Sequence, residues 1–343
     1  MQTNVSKEKL GAVKKIVYHA NCADGMAAAL ICLGALGWEL ECVGMHYKSP
    51  ELEALEATPG LLFVDFSPPA DRADEFLDAG AIVLDHHKGA EDVVMKFVSA
   101  GQGAFADEKI DPGVSGASLA CSEVWRKIHP IDSDVERFAR LAGIRDTWQT
   151  RSKEWVEGTG LMLMMKLLGF EHFQKQRLPF PSASDYQLAE LLGGNYHRKI
   201  VNHCDERVIV REVEGHTVAF HYDTEALTSD VAEEMRTRGA NVIIGFFYVI
   251  ERGQPKIIFS TRSDESFDVS KLCKFYGGGG HSRAAGFSQI IGETRDGSEP
   301  RFGRPPHRSP FDGEQNPWFF ALTLFKRYVD TEAMKSEDFA PGV

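Results

Sequence analysis

Cysteine is sparse and unpatterned in this 343-residue chain. The six (Cys22, Cys32, Cys42, Cys121, Cys204 and Cys273) form no C-x-x-C pair and no disulfide-like spacing. That argues against a disulfide framework and fits a reducing, cytoplasmic setting. Positive charge is short as well: 38 Lys and Arg against 50 Asp and Glu leave a formal charge of -12. Such a balance argues against wrapping long nucleic acid through a broad basic surface, but a small phosphorylated substrate needs only a local cluster of cations. Long apolar runs are missing too. Leu161 to Phe170 is strongly apolar, but it is interrupted by Lys166 and too short to span a bilayer. Met1 to Leu10 lacks the apolar core of a signal peptide, so the expectation is a cytoplasmic chain with no membrane partner. No internal repeat is visible.

The length makes two domains the prior. From Lys14 to about Asp146, strand-like and helix-like segments alternate, the pattern of an α/β fold with a doubly wound parallel sheet. Helices are expected at Met26 to Leu36, after an N-cap at Ser49 followed by Pro50, from Pro69 to Ala79, from Ser115 to His129, from Asp132 to Leu141 and from Met162 to Phe170. This first domain is placed at residues 1–184, and a polar helix over 185–207 links it onward. A second, smaller α/β domain follows over 208–291. In it Val208–Val210 and Thr217–Phe220 read as strands, and about Asp230 to Arg238 as a helix. Val242–Ile250 and Ile257–Phe259 read as a hairpin around Arg252-Gly253-Gln254. Residues 292–343 complete the chain, with a Gly/Pro-rich mobile linker at Gly292 to Pro317 and a terminal helix at Trp318 to Met334.

The chemistry lies where apolar runs stop. Ile82-Val83-Leu84 ends in Asp85-His86-His87, Ile16-Val17-Tyr18 ends in His19 with Asp24 five residues on, and Leu61–Val64 ends in Asp65. Ligands of open α/β sheets bind outside the carboxyl ends of the strands, so these ends predict one shared site. With Asp146 they form an imidazole and carboxylate set suited to Mn, Fe, Co or Zn, and the missing thiolate set leans it towards Mn. Adjacent carboxylates of this kind need cations between them. A two-metal centre can lower the pKa of a water and orient it for in-line attack at phosphorus.

Asp85-His86-His87 after a hydrophobic strand resembles the signature of the DHH phosphoesterase superfamily. His19…Asp24-Gly25 is similar to its first motif, Asp65 to its second and Arg145-Asp146-Thr147 to its fourth. Downstream, Gly277-Gly278-Gly279-Gly280-His281-Ser282-Arg283-Ala284-Ala285-Gly286 resembles the signature of the DHH-associated C-terminal domain. The resemblance covers roughly residues 14–291. It implies two divalent ions, usually Mn with Mg or Co as alternatives, held by His19, Asp24, Asp65, His86 and Asp146, with Asp65 bridging. It puts His87 towards the scissile phosphate and makes Asp85 the group that orients the imidazoles. Arg262, in Ser260-Thr261-Arg262-Ser263, resembles the family's phosphate-binding strand end. One departure stands out. The family's first motif carries two carboxylates, whereas His19-Ala20-Asn21-Cys22-Ala23-Asp24 has one, with Cys22 where the other would fall. Either His19, Asp65 and waters hold the first ion, or Cys22 or Asn21 fills the place, or that ion is weakly held or absent.

The glycine run lets backbone N–H groups approach an anion, so Gly278, Gly279, Gly280, His281 and Arg283 join Arg262 as substrate-binding candidates. A phosphate site on the second domain, with metals on the first, implies a cleft that measures its substrate. The expected activity is a Mn-dependent phosphodiesterase or exonuclease acting on short oligonucleotides or dinucleotides to release nucleoside monophosphates. A 3′-phosphoadenosine 5′-phosphate phosphatase, a pyrophosphatase or polyphosphatase, and a catalytically weak nucleotide-binding regulator are the alternatives. Tyr222, Phe247 and Tyr276 are candidates for base stacking, and Asn202 and His203 for the cleft. A homodimer stays open, because Leu161 to Phe170 could serve as interface or core.

Overall fold

Strands buried on both faces must be apolar at every position, while still sending alternate side chains to opposite sides. The first unit shows both effects. Its strands are β1 (Gln2–Val5), β2 (Lys15–His19), β3 (Glu41–Met45), β4 (Leu61–Val64), β5 (Ile82–Asp85) and β6 (Gln102–Phe105), in the spatial order β1-β6-β5-β4-β2-β3. Ile16, Tyr18, Leu62, Val64, Ile82, Leu84 and Ala104 enter one hydrophobic core. Their neighbours Val17, Phe63, Val83 and Phe105 enter another on the opposite face. The sheet is therefore covered on both sides, as the doubly wound reading requires. β2 to β6 pair in parallel, and β1 closes the β6 edge antiparallel. Thr3 of β1 donates its hydroxyl to the buried carboxylate of Glu123, and Lys127 Nζ donates to the carbonyl of Val5 at 2.6 Å.

The computed structural model describes residues 2–107, 110–176, 181–223, 225–251, 253–290, 321 and 324–329. It forms two compact units, Met1–His197 and Arg198–Val343. The expected linker at Gly292 to Pro317 lies outside the described residues, as does Arg252 at the hairpin turn. Of the expected terminal helix, residues 324–329 are described and helical, and Phe325 and Tyr328 pack into the second unit's core.

Several element boundaries differ from the sequence expectation. The helix placed at Met26 begins at Ala23, so Asp24 lies inside its first turn. The helix expected to stop at Leu141 runs from Ser133 to Asp146, making Asp146 its last residue. Ser115 to His129 is helical but interrupted by a π turn at Cys121–Trp125. Pro69 to Ala79 splits into a 3₁₀ turn at Ala70–Arg72 and a short helix at Ala73–Asp78. The N-cap at Ser49 is as expected, its side chain accepting from Leu52 N at 3.3 Å. The apolar segment around Leu161 belongs to the helix Trp155–Leu168, and Leu161, Met164 and Met165 lie in the core.

A helix from Ala183 to Arg207 leads into the second unit. There β7 (Val208–Val213), β8 (His216–Tyr222), β9 (Val242–Glu251), β10 (Gln254–Ser263), β11 (Gly279–His281) and β12 (Ala284–Ile290) stand in the order β11-β12-β10-β9-β8-β7. Only β8 and β9 run parallel, connected by the helix Thr228–Thr237. The smaller α/β unit is thus built on a mixed sheet.

Candidate metal centre

The parallel register brings the carboxyl ends of β2, β4 and β5 side by side. β3 lies on one side of β2 and β4 on the other, so the strand order reverses between β2 and β4, where ligands of open α/β sheets bind. His19 closes β2, Asp65 follows β4, and Asp85 closes β5 with His86 and His87 directly after. The helices Ala23–Leu36 and Ser133–Asp146 contribute Asp24 and Asp146. All the residues expected to hold metal are brought together.

Asp65 is the centre of the arrangement. It is fully buried, and its backbone adopts a left-handed conformation (φ 54°), which Asp tolerates better than most residues. Such backbone strain collects at functional sites. Gly116 permits the position, since a Cβ there would fall 2.4 Å from the Asp65 Cβ. His86 Nε2 lies 3.0 Å from Asp65 Oδ1, 3.3 Å from Asp146 Oδ2 and 3.8 Å from Asp24 Oδ2. His19 Nδ1 lies 3.8 Å from Asp65 Oδ2. His87 Nδ1 lies 2.6 Å from Asp85 Oδ1, which also accepts from the backbone N–H groups of His86 (2.8 Å) and His87 (3.1 Å). Asp85 therefore holds the His87 ring and the backbone N–H groups of both histidines.

The charges are mutually dependent. Burial, with Asp65 and Asp146 nearby, pushes the Asp24 carboxyl well above the usual carboxylate range. Burial also works against ionised Asp65, but the neighbouring His19 and His86 hold its pKa below the ordinary value. Burial opposes a charged His86, yet bonding to Asp146 and Asp65 pushes its pKa up to about 11. His87 is raised as well, its Asp85 contact outweighing burial.

Whether the residues suit metal ions is answered by atoms left without partners. His19 Nδ1, Asp24 Oδ2 and Asp65 Oδ2 are buried and make no hydrogen bond. A buried unpaired acceptor costs about 1–3 kcal/mol, more when charged. His19 Nδ1 and Asp65 Oδ2 facing each other at 3.8 Å, with Asp24 Oδ2 3.8 Å from His86 Nε2, fit bound cations. Possible ligand atoms group as His19, Cys22 and Asp65, as Asp65, His86 and His87, and as Asp24, His86 and Asp146, each group within 4.8 Å. The chain therefore carries candidate divalent-cation sites, with Asp65 common to two of them.

Residues 205–291 match the DHHA1 domain family. The chain is 21% identical over 301 residues to oligoribonuclease NrnB of Bacillus subtilis (strain 168), covering 79% of this chain and 72% of that protein. Its fold is similar to that of a solved pGpG-specific phosphodiesterase, PggH, from Vibrio cholerae, with TM-score 0.52 and 15% identity over 81% of this chain and 93% of that one. The chain thus carries a DHHA1 domain, and its fold is that of the solved phosphodiesterase. The first unit is DHH-like in its parallel sheet, and the second contains the DHHA1 domain.

Three residues at the DHH centre were not expected. Ser115 is buried and donates its hydroxyl to Asp24 Oδ1 at 2.7 Å, and Ala117 N donates to the same oxygen at 3.2 Å. Tyr47 donates to Asp85 Oδ2 at 3.3 Å and packs beside Phe66. His46 lies 3.1 Å, Nε2 to Nδ2, from Asn21. A serine three residues before Ser118 announces only an N-cap, and the other two depend on recognising β3.

In the DHHA1 domain, Arg262 is bonded to the hydroxyls of Ser229 and Ser260 and to its neighbour's carbonyl, with no carboxylate salt bridge among the described residues. Arg283 instead pairs with Glu265 at the surface. Gly279, Gly280 and His281 form β11 against β12, and Gly278 N donates to Cys273 O at 2.8 Å, so the run is ordered strand and turn. Tyr222 is partly exposed beside Tyr248, whereas Tyr276 stacks on Phe287 and donates to Leu324 O. His203 Nε2 lies 3.2 Å from His221 Nδ1.

His221 makes a pH prediction for this domain. Burial lowers its pKa to about 4; nearby Asp223 opposes the shift and His203 adds to it. The unfolded chain takes up this proton near pH 6.5 and the folded chain only near 4. The contribution to stability is thus complete above 6.5 and declines as pH falls through that interval. The full loss is about 3 kcal/mol. Urea unfolding of wild type and His221→Gln at neutral and acidic pH checks it. Wild type should lose more stability on acidification than the variant; equal losses would refute the assignment.

Proposed function

We propose that the chain is a Mn-dependent phosphodiesterase that hydrolyses short oligonucleotides or dinucleotides to nucleoside monophosphates. The observation that carries this reading is the convergence of His19, Asp24, Asp65, His86 and Asp146, with their unpartnered buried atoms, beside the Asp85–His87 pair. The similarity to a protein named as an oligoribonuclease supports the substrate class. Bound divalent cations would supply a Lewis acid for the phosphoryl oxygens and an activated water.

The remaining work falls to side chains of this chain. Asp85 fixes the His87 ring through Nδ1, leaving Nε2 as its free nitrogen on a half-exposed face. The raised pKa of His87 favours its protonated form. That form donates to a phosphoryl oxygen or to the departing sugar oxygen. Arg262, a half-buried guanidinium with no carboxylate salt bridge among the described residues, binds a phosphate that is not cleaved.

End-labelled RNA and DNA, from dinucleotides to heptanucleotides with a long control, with and without Mn, test the proposal. Metal-dependent release of mononucleotides, fastest on short substrates, is the expected result. His87→Ala should reduce the rate by about 10²–10⁴-fold, the range for a lost general acid. Nucleotide binding without turnover would favour a regulator, for which the single carboxylate of the first motif is the motivation.

A further inference from the structure

The chain lacks one carboxylate of the superfamily's first motif, and Cys22 stands in its place. Asn21 is otherwise engaged. Its backbone is left-handed (φ 57°) and its amide nitrogen lies 3.1 Å from His46 Nε2. Cys22 occupies the N-cap of the helix Ala23–Leu36, yet its side chain makes no capping hydrogen bond. Its Sγ instead lies with a ring nitrogen of His19 and a carboxylate oxygen of Asp65, all within 4.8 Å of one another. The one hydrogen bond found for Sγ is a long 3.7 Å contact to Asp146 Oδ1.

The surroundings independently call for a cation. His19 Nδ1 and Asp65 Oδ2 face each other at 3.8 Å, both buried and neither hydrogen-bonded. Metal bonds of about 2.0–2.3 Å from nitrogen, oxygen and sulfur leave ligand atoms roughly 3–4 Å apart. The His19–Asp65 spacing is already in that range, and Cys22 Sγ lies within 4.8 Å of a ligand atom of each residue. Burial, with Asp65, Asp24 and Asp146 nearby, pushes the Cys22 thiol up, so only a bound cation would hold it as a thiolate.

We infer that Cys22 is a thiolate ligand replacing the missing carboxylate, so that one cation position joins His19, Cys22 and Asp65. The inference rests on the metal-centre reading and refines it. A thiolate in the set shifts preference from Mn towards the softer Zn, Co or Fe(II). The two cation positions of this chain therefore differ in kind. One has an imidazole, a thiolate and a carboxylate, and the other an imidazole with carboxylates alone.

Anaerobic titration of the full, metal-free chain with Co(II), followed by absorption, tests this without recourse to activity. Visible ligand-field bands report any ordered cobalt site, and a near-ultraviolet sulfur-to-cobalt charge-transfer band reports a thiolate ligand. Wild type should show both. Cys22→Ser should lose the charge-transfer band and keep the visible bands, with an unchanged circular dichroism spectrum. Cys22→Asp, which restores the motif, should move the Zn-over-Mn preference at least tenfold towards Mn in competition titrations. Visible bands without charge transfer in wild type would overturn the thiolate ligand alone. Charge transfer persisting in Cys22→Ser would assign the sulfur to another cysteine and overturn it as well. Absence of both bands in wild type would overturn the metal centre itself.

Discussion

Asp65→Asn lowers turnover of a short oligonucleotide by at least about 10³-fold and leaves the chain folded. The reasoning begins with position. Asp65 is fully buried, and its two oxygens serve different neighbours: Oδ1 approaches His86 Nε2 at 3.0 Å and Oδ2 approaches His19 Nδ1 at 3.8 Å. It is shared by two of the three ligand groups, so its loss removes a carboxylate from both of those groups. Asn keeps the shape and tolerates the left-handed backbone, which removes strain as an explanation for lost activity. It removes the charge, however, and presents an amide that cannot act as an anionic ligand. The folding cost is small because His86 retains Asp146 at 3.3 Å and Asp24 at 3.8 Å, while the repulsion felt by Asp24 falls. Steady-state kinetics, calorimetric Mn titration and thermal unfolding separate these effects. Near-wild-type turnover in the variant would remove Asp65 from the chemistry.

The second large effect concerns stability, away from the centre. The helices Trp155–Leu168 and Ala183–Arg207 cross at Gly160 and Gly193. A Cβ on Gly160 would fall 1.6 Å from Ala189 O, and one on Gly193 would fall 1.9 Å from Val156 O. Those obstacles are backbone atoms, so no side-chain rotation relieves the overlap and the helices must separate. Gly193→Ala should destabilise the first unit by about 3 kcal/mol or more, at the upper end of overpacking costs. Gly169→Ala is the useful comparison: no atom lies within 4 Å of its added Cβ, and its penalty is confined to the positive φ of 77°. Urea unfolding should rank Gly193→Ala well below it. Equal midpoints would show that the helix crossing yields more easily than close packing allows.

Much of the centre was readable because buried parallel strands impose a sharp contrast. Leu61–Val64 and Ile82–Leu84 are apolar throughout, and the first polar residue after each marks where the chain leaves the sheet. The less apolar strands were missed. β6 is Gln-Gly-Ala-Phe, and its Gly103 owes its place to close packing on Phe97, which is tertiary information. β3 carries a glycine and a glutamate, so the arrival of His46 and Tyr47 at the site was hidden with it. Asp146 was reached from the helical segment that delivers it and from its likeness to the family's fourth motif, since a carboxylate ending a helix has no periodic signal of its own. Ser115 reads as an N-cap and is one, but its bond to Asp24 spans 91 residues and exists only after folding. The N-terminal boundary of the helix at Ala23 was obscured because Cys22 is an uncharacteristic cap.

The antiparallel edge strand sets an order of events during synthesis. β1 leaves the ribosome before its partner exists, since Gln2 pairs with Phe105 and Val5 with Gln102. Its side-chain anchor comes later still, when Glu123 and Lys127 have been made and their helical segment has formed. Gln2–Val5 must therefore wait for partners about a hundred residues later in the chain before their pairing and anchoring are complete.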